Sequence, residues 1–203
     1  MLQISDNEKL ILKKILNSGI SKAADSFSLI SRDEVSIDVP ELKIVSQIDL
    51  FKEVDPKNEV QVVIKSKIDG DISGHTFLFF REKELNLLEK NCLNFNFPSN
   101  KLVDLRTSLV LEISNIITGT LVTQLANRLK IDIYGSVPSP PIYPSKAQNR
   151  SLLLNMELYN SWILTIKTSF VRSQKLVSLP FVIIFDMVNM QKILNILRKT
   201  KNK

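Results

Sequence analysis

SLVLEISNIITGTLVTQLANRLKIDIYGSVP, residues 108–138, decides how this chain is read. Leu109, Val110, Ile113, Ile116, Ile117, Leu121, Leu125 and Leu129 recur at helical spacing, so the stretch opens as a long helix fit for burial. It then passes into KIDIYGSVP, which reads as a strand closing at Val137-Pro138. Ser108, Glu112, Asn115 and Gly119 interrupt the oily pattern at steps of four, three and four. At 100° per residue these four positions fall within about 60° of one another on the helix surface. One polar row on an otherwise apolar helix needs a reason.

The same plan appears earlier in the chain. Ser5 and Glu8 form a capping-box signature, and the LILKKILNSGISKAADSFSLI that follows has helical periodicity. It leads into EVSIDVP, which alternates like a strand and closes at Val39-Pro40. Asn17 is followed by 22 residues and then Pro40, and Asn115 by 22 residues and then Pro138, an offset of 98 for both pairs. Further on, VVIKSKI (62–68) echoes LTIKTSF (164–170) at an offset of 102, with the proline-rich SPPIYPSKAQN loop taking up the difference. TFLFF (76–80) and PFVIIF (180–185) read as second strands, and 81–91 and 186–199 as short closing helices opposite one another in the two halves. In the second half, Pro98 and Ser99 mark the helix start.

An α+β fold follows, with an internal duplication of a helix–strand–hairpin–helix unit related by a pseudo-two-fold. Its strands form one largely antiparallel shared sheet covered by helices. The expected organisation is a single domain over residues 1–203, made of a first repeat of about 1–95 and a second of about 96–203. The joint at 92–100 is short and partly apolar, unlike a flexible linker.

Composition excludes several classes. Hydrophobic residues make up 44% and charged residues 24%, as in an ordinary globular protein. The net charge of +6 is concentrated in the closing RKTKNK, leaving roughly +2 on the body, and no array of aromatic and basic residues suits nucleic acid. The longest apolar run, LVSLPFVIIF (176–185), is too short to span a bilayer, and the acidic, polar start is not a signal peptide, so a cytoplasmic location without membrane insertion is expected. Cys92 alone forms no intramolecular disulfide and no cysteine zinc site, and reads as a core or half-buried thiol. His75 follows a turn glycine and reads as a strand-end residue, while Trp162, Phe170 and Phe181 read as core. Phosphate-binding glycine loops, H-x-x-x-H pairs and G-x-S-x-G elbows are missing. By itself the Ser108–Gly119 row also fits the solvated face of an amphipathic helix.

Taken with the proline spacing and the repeat, however, the row resembles the CheC family of chemotaxis phosphatases, with CheX and the FliY and FliM switch proteins. That family's motif is Asp or Ser, three residues, Glu, two residues, Asn, 22 residues, Pro, and Ser108, Glu112, Asn115 and Pro138 match it at every spacing. The resemblance implies a phosphatase acting on the aspartyl phosphate of a CheY-like response regulator. The receiver carries its own Mg²⁺, so no cofactor and no metal ligands are expected on this chain. Asn115 would orient the attacking water and Glu112 would pair with the receiver's lysine, with Ser108 and Gly119 in contact with the partner. The first copy departs from the motif: Leu10 and Lys14 replace its first two members, and only Asn17 and Pro40 remain. Lys14 and Asn17 therefore mark a degenerate, inactive or much weaker site. The alternative is a non-catalytic scaffold or binding protein, like the FliM middle domain in the flagellar switch or as a partner of a CheD-like protein, with 81–91 and 186–199 as docking helices.

Overall fold

The computed structural model describes residues 4–31, 36–92, 102–144, 161–172 and 175–201. In chain order these form α1 (Asp6–Ser31), β1 (Ser36–Val45), α2 (Gln47–Val54), β2 (Val60–Gly70), β3 (Gly74–Arg81), α3 (Glu82–Cys92), α4 (Leu102–Leu129), β4 (Ile133–Gly135), β5 (Ser161–Arg172), β6 (Lys175–Asp186) and α5 (Met187–Lys201). The expected helix start at Pro98-Ser99 lies outside the described residues.

Alternation along the strands separates two faces. Val62, Ile64 and Ile68 of β2, Leu78 and Phe80 of β3, and Phe181, Ile183 and Phe185 of β6 join α1, α4 and the short helices α3 and α5 in the main core. The opposite residues, Val63, Phe77, Phe79, Val182 and Ile184, meet Leu50 and Val54 of α2 and Ile142 in a second, smaller core. The sequence reading has a loop where α2 lies. Its signal is Ser46, whose hydroxyl accepts from the Asp49 amide at 3.2 Å, followed by Leu50 and Val54 one turn apart.

The single six-stranded sheet has the order β1-β5-β6-β3-β2-β4, and every pairing in it is antiparallel. β1 pairs with β5 and β4 with β2, so the first strand of each half lies against the hairpin of the other half. The two halves interleave, and the order is unchanged when β1, β2 and β3 are exchanged with β4, β5 and β6. Both prolines expected at strand ends sit instead where one chain carries an extra residue, as in a bulge. Val39-Pro40 is the excess of β1 over β5 between Asp38 (opposite Ser169) and Glu41 (opposite Lys167). Val137-Pro138 lies between Ser136, whose amide donates to Lys67 O, and Ser139, whose amide donates to Lys65 O, both at 2.8 Å. A bulge tolerates proline because its extra residue needs no ladder donor.

The two long helices cross where Gly19 lets α1 come close to α4: a Cβ there would lie 3.0 Å from Leu121 Cα. Gly70, with φ +124, turns the chain where any Cβ would stand 2.1 Å from Asp132 O.

Ion pairs of opposite polarity tie the starts of the long helices to the short ones. Glu8 of α1 accepts from Arg198 Nε of α5 at 2.7 Å, and Arg106 of α4, 98 residues on, pairs with Glu89 of α3. Glu8 also completes the predicted capping box: it accepts from the Ser5 amide at 2.7 Å while its own amide donates to Ser5 Oγ at 3.3 Å. Burial alone pushes the Glu8 carboxyl up, yet the bonds from Ser5 and Arg198 together outweigh it and hold it below its ordinary 4.5. A carboxyl lowered on folding adds stability above its unfolded value and loses it as pH falls through the folded one. Glu8→Gln is therefore expected to lower the melting temperature at pH 7. The gap to wild type should close as pH is taken below about 4.5, as read by thermal melts at stepped pH.

Candidate functional site

α4 is long and apolar enough to cross a membrane by length and composition, but more than half of that window is buried inside the protein. Leu109, Val110, Ile113, Ile117, Leu121, Val122, Leu125 and Leu129 supply the buried side. Ser108, Glu112, Asn115 and Gly119 all emerge on the exposed side, as their spacing predicts, and Asp104 and Thr123 extend the row by a turn at either end. Among the described residues, the side chains of Ser108, Glu112 and Asn115 have no hydrogen-bond or ion-pair partner. Glu112 and Asn115 are three residues apart on one face, about 5–6 Å between Cβ atoms. A carboxylate and a carboxamide thus stand side by side in solvent with all their hydrogen-bonding capacity open.

The row rests on a helix fixed on several sides. Thr118 shares a buried hydroxyl–hydroxyl bond of 3.1 Å with Thr76 of β3. Gln124 Oε1 accepts from Ser18 of α1 at 3.2 Å. Arg106 turns toward α3, meeting Glu89 and, at 3.3 Å, Asn86. Gly119 differs from these, because a Cβ there would meet nothing within 4 Å. The fold itself does not require glycine at that position.

The fixed spacing between Asn115 and Pro138 has a structural cause. From Asn115 the helix runs on to Leu129, about 21 Å at 1.5 Å per residue. It stops in a Schellman turn, with Lys130 in the left-handed region at φ +55 and the Ile131 amide donating to Ala126 O at 3.2 Å. The chain then returns along the helix, and the seven steps from Ile131 to Pro138 span about 23 Å when extended. Gly135 marks this return, since a Cβ on it would touch Thr118 Cγ2 at 3.3 Å. Further along, Tyr143 Oη lies 3.2 Å from Thr107 Oγ1. The sequence reading leaves this strap of residues 135–144 unassigned to the site, although the proline spacing is the signal that places it.

In the first half, Leu10 (50% exposed) and Lys14 are at the surface, but Asn17 is not presented as Asn115 is. Its Oδ1 is buried with no hydrogen-bond partner among the described residues. His75 is half-buried beside Phe77, and burial, with Lys65 and Lys67 nearby, holds its imidazole below the usual value. It is the second residue of β3, at the strand end where the sequence reading has it. Trp162, Phe181 and Cys92 pack on the main core as expected, and the Phe170 side chain lies outside the described residues.

No protein-family model matches the chain. Among curated proteins it is similar to the CheY-P phosphatase CheC of Bacillus subtilis (strain 168), 24% identical over 140 residues. That match covers 66% of each sequence, so the chain spans about two thirds of this relative's length. Among solved structures, FliY of Thermotoga maritima superposes with a TM-score of 0.73 at 16% identity, over 98% of this chain and 99% of that one. FliM of H. pylori, solved in a complex with SpeE, gives 0.70 at 10% identity over 97% of each. The chain is CheC-like, and the fold is the one shared by these chemotaxis and flagellar proteins.

Proposed function

We propose that this CheC-like chain is a phosphatase that hydrolyses the aspartyl phosphate of a CheY-like response regulator at the exposed row of α4. The observation that carries the reading is Glu112 beside Asn115, both in solvent and unpartnered among the described residues, on a helix otherwise built for burial. The receiver brings the phosphoryl group, its own Mg²⁺ and a lysine, so the phosphatase adds position more than chemistry. The Asn115 carboxamide oxygen accepts from a water and its NH₂ donates toward a phosphoryl oxygen, which aims the water in line without a change of protonation. Glu112 pairs with the receiver's lysine and fixes the approach. The water oxygen bonds to phosphorus as the bond to the aspartyl oxygen breaks. The aspartate leaves as carboxylate, and the water's proton goes to the released phosphate.

Ser108 contacts the partner one turn earlier, and Gly119 gives it room. An interior helical glycine costs about 0.5–1 kcal/mol against alanine, and no neighbour among the described residues repays that cost. Gly119→Ala is accordingly expected to raise the melting temperature by about 1–4 °C while slowing receiver dephosphorylation. A faster or unchanged rate would remove Gly119 from the partner surface.

The first site is inactive in this account, with a cation at Lys14 and a buried carboxamide oxygen at Asn17. The two-repeat division, about 1–95 and 96–203, is part of the proposal. It is supported by Val-Pro bulges recurring 98 residues apart, opposite strand positions 102 residues apart. The competing reading, a non-catalytic scaffold in a flagellar switch or a partner of a CheD-like protein, draws on the likeness to FliM. Decay of a phosphorylated CheY-like receiver from the same genome, with and without this chain, separates the two. The phosphatase accelerates decay, whereas the scaffold binds and leaves the rate unchanged.

A further inference from the structure

Two of the most exposed large apolar side chains in the described structure lie on the strap that runs beside α4: Val137 (85% exposed) and Tyr143 (58%). Neither is on a loose segment. The strap is stitched to β2 through the amides of Ser136, Ser139 and Ile142, and the Val63 amide donates back to Ile142 O at 2.9 Å. Ser136 Oγ adds a bond from the Lys67 amide at 2.8 Å. Tyr143 is tied to Thr107 of α4.

The return distance of about 23 Å against a descent of about 21 Å puts the Val137-Pro138 bulge level with Asn115. A bulge re-aims a side chain, and here it leaves valine almost wholly in water beside the polar row. The row also carries a second acid. Asp104 is exposed two turns before Glu112, about 12 Å along the axis. Arg106, the base closest to it in sequence, faces α3. Among the described residues the face is therefore anionic and apolar, on a chain of net charge +6.

We infer that Val137 and Tyr143 form an apolar flank on which the receiver docks beside the Glu112–Asn115 pair, with Asp104 as a second anionic contact. This rests on the proposed phosphatase reading and extends it to recognition: the flank sets which receivers bind and how tightly, and takes no part in bond breaking. The matching surface on the receiver is apolar next to its phosphorylation site, with two cationic groups spaced to meet Asp104 and Glu112. Apolar contact acts on dissociation, while the peripheral acid acts on the salt-sensitive encounter.

The test uses the full chain and CheY-like receivers of the same genome, in two arms: turnover of the phosphorylated receiver, and binding of the receiver activated with beryllium fluoride. Val137→Asp is expected to raise KM and weaken binding about tenfold or more, with kcat within about twofold. Val137→Ala should fall between that variant and wild type. Asp104→Asn should slow association at low salt, an effect that fades near 1 M salt. Wild-type acceleration with Val137→Asp indistinguishable in KM and binding would overturn the flank and leave the phosphatase standing. Binding without acceleration, abolished by Val137→Asp, would keep the flank and overturn the phosphatase. Absence of any receiver binding by the wild type would overturn both.

Discussion

Replacing Asn115 with alanine should lower the rate of receiver dephosphorylation at saturating protein by about 100-fold or more, because small losses of positioning cost about that much. Asn115 is exposed and has no partner among the described residues, so its truncation leaves the fold alone. The melting temperature of Asn115→Ala should match wild type within about 1 °C, since surface changes away from packed or bonded features are nearly neutral. Affinity for the activated receiver should change little, as Glu112 and the flank still hold it. A fall in kcat with steady affinity is what a water-positioning group predicts, and what a mere docking residue does not. The readout is single-turnover decay of phosphorylated receiver at several phosphatase concentrations.

Glu112→Lys has the next largest expected effect. It recreates on α4 the arrangement of α1, where Lys14 takes the equivalent place. The new cation would face the receiver's lysine, and like charges brought together at an interface cost several kcal/mol. Hence kcat/KM should drop by at least about 100-fold, chiefly through KM, with partial recovery in salt as screening shortens the repulsion. The reciprocal change, Lys14→Glu, should gain no activity on its own, because the Asn17 oxygen stays buried. Titrating the activated receiver against each variant checks both statements. An active first site in Lys14→Glu would mean that burial of Asn17 is not what silences it.

The sequence exposes some of this plan clearly and hides the rest for definite reasons. The α4 row was legible because polar residues at helical spacing stay on one face whatever the helix packs against. The strands of β2, β3 and β6 were legible from alternation, and Glu8 from its capping box. The interleaving of the halves was not, since β1 against β5 is a pairing between positions more than 100 residues apart. Nothing local to either strand encodes that choice. The prolines were read as strand ends because proline lacks a ladder donor, but a bulge meets the same requirement and lets β1 continue to Val45. The reversal after Leu129 lacked its usual glycine, since Lys130 occupies the left-handed position. Without that turn, the return of the strap to the level of Asn115 cannot be drawn. Lys14 marks the first copy as degenerate in the sequence itself, whereas the burial of the Asn17 oxygen depends on packing that spacing does not reveal.

The measurement that bears most directly on the account is the decay of one phosphorylated receiver in the presence of wild type, Asn115→Ala and Asn17→Ala at equal concentration. The account predicts that Asn17→Ala accelerates decay as wild type does and that Asn115→Ala returns it to the unassisted rate. Acceleration that survives Asn115→Ala, or that disappears in Asn17→Ala, would contradict the assignment of the site to α4.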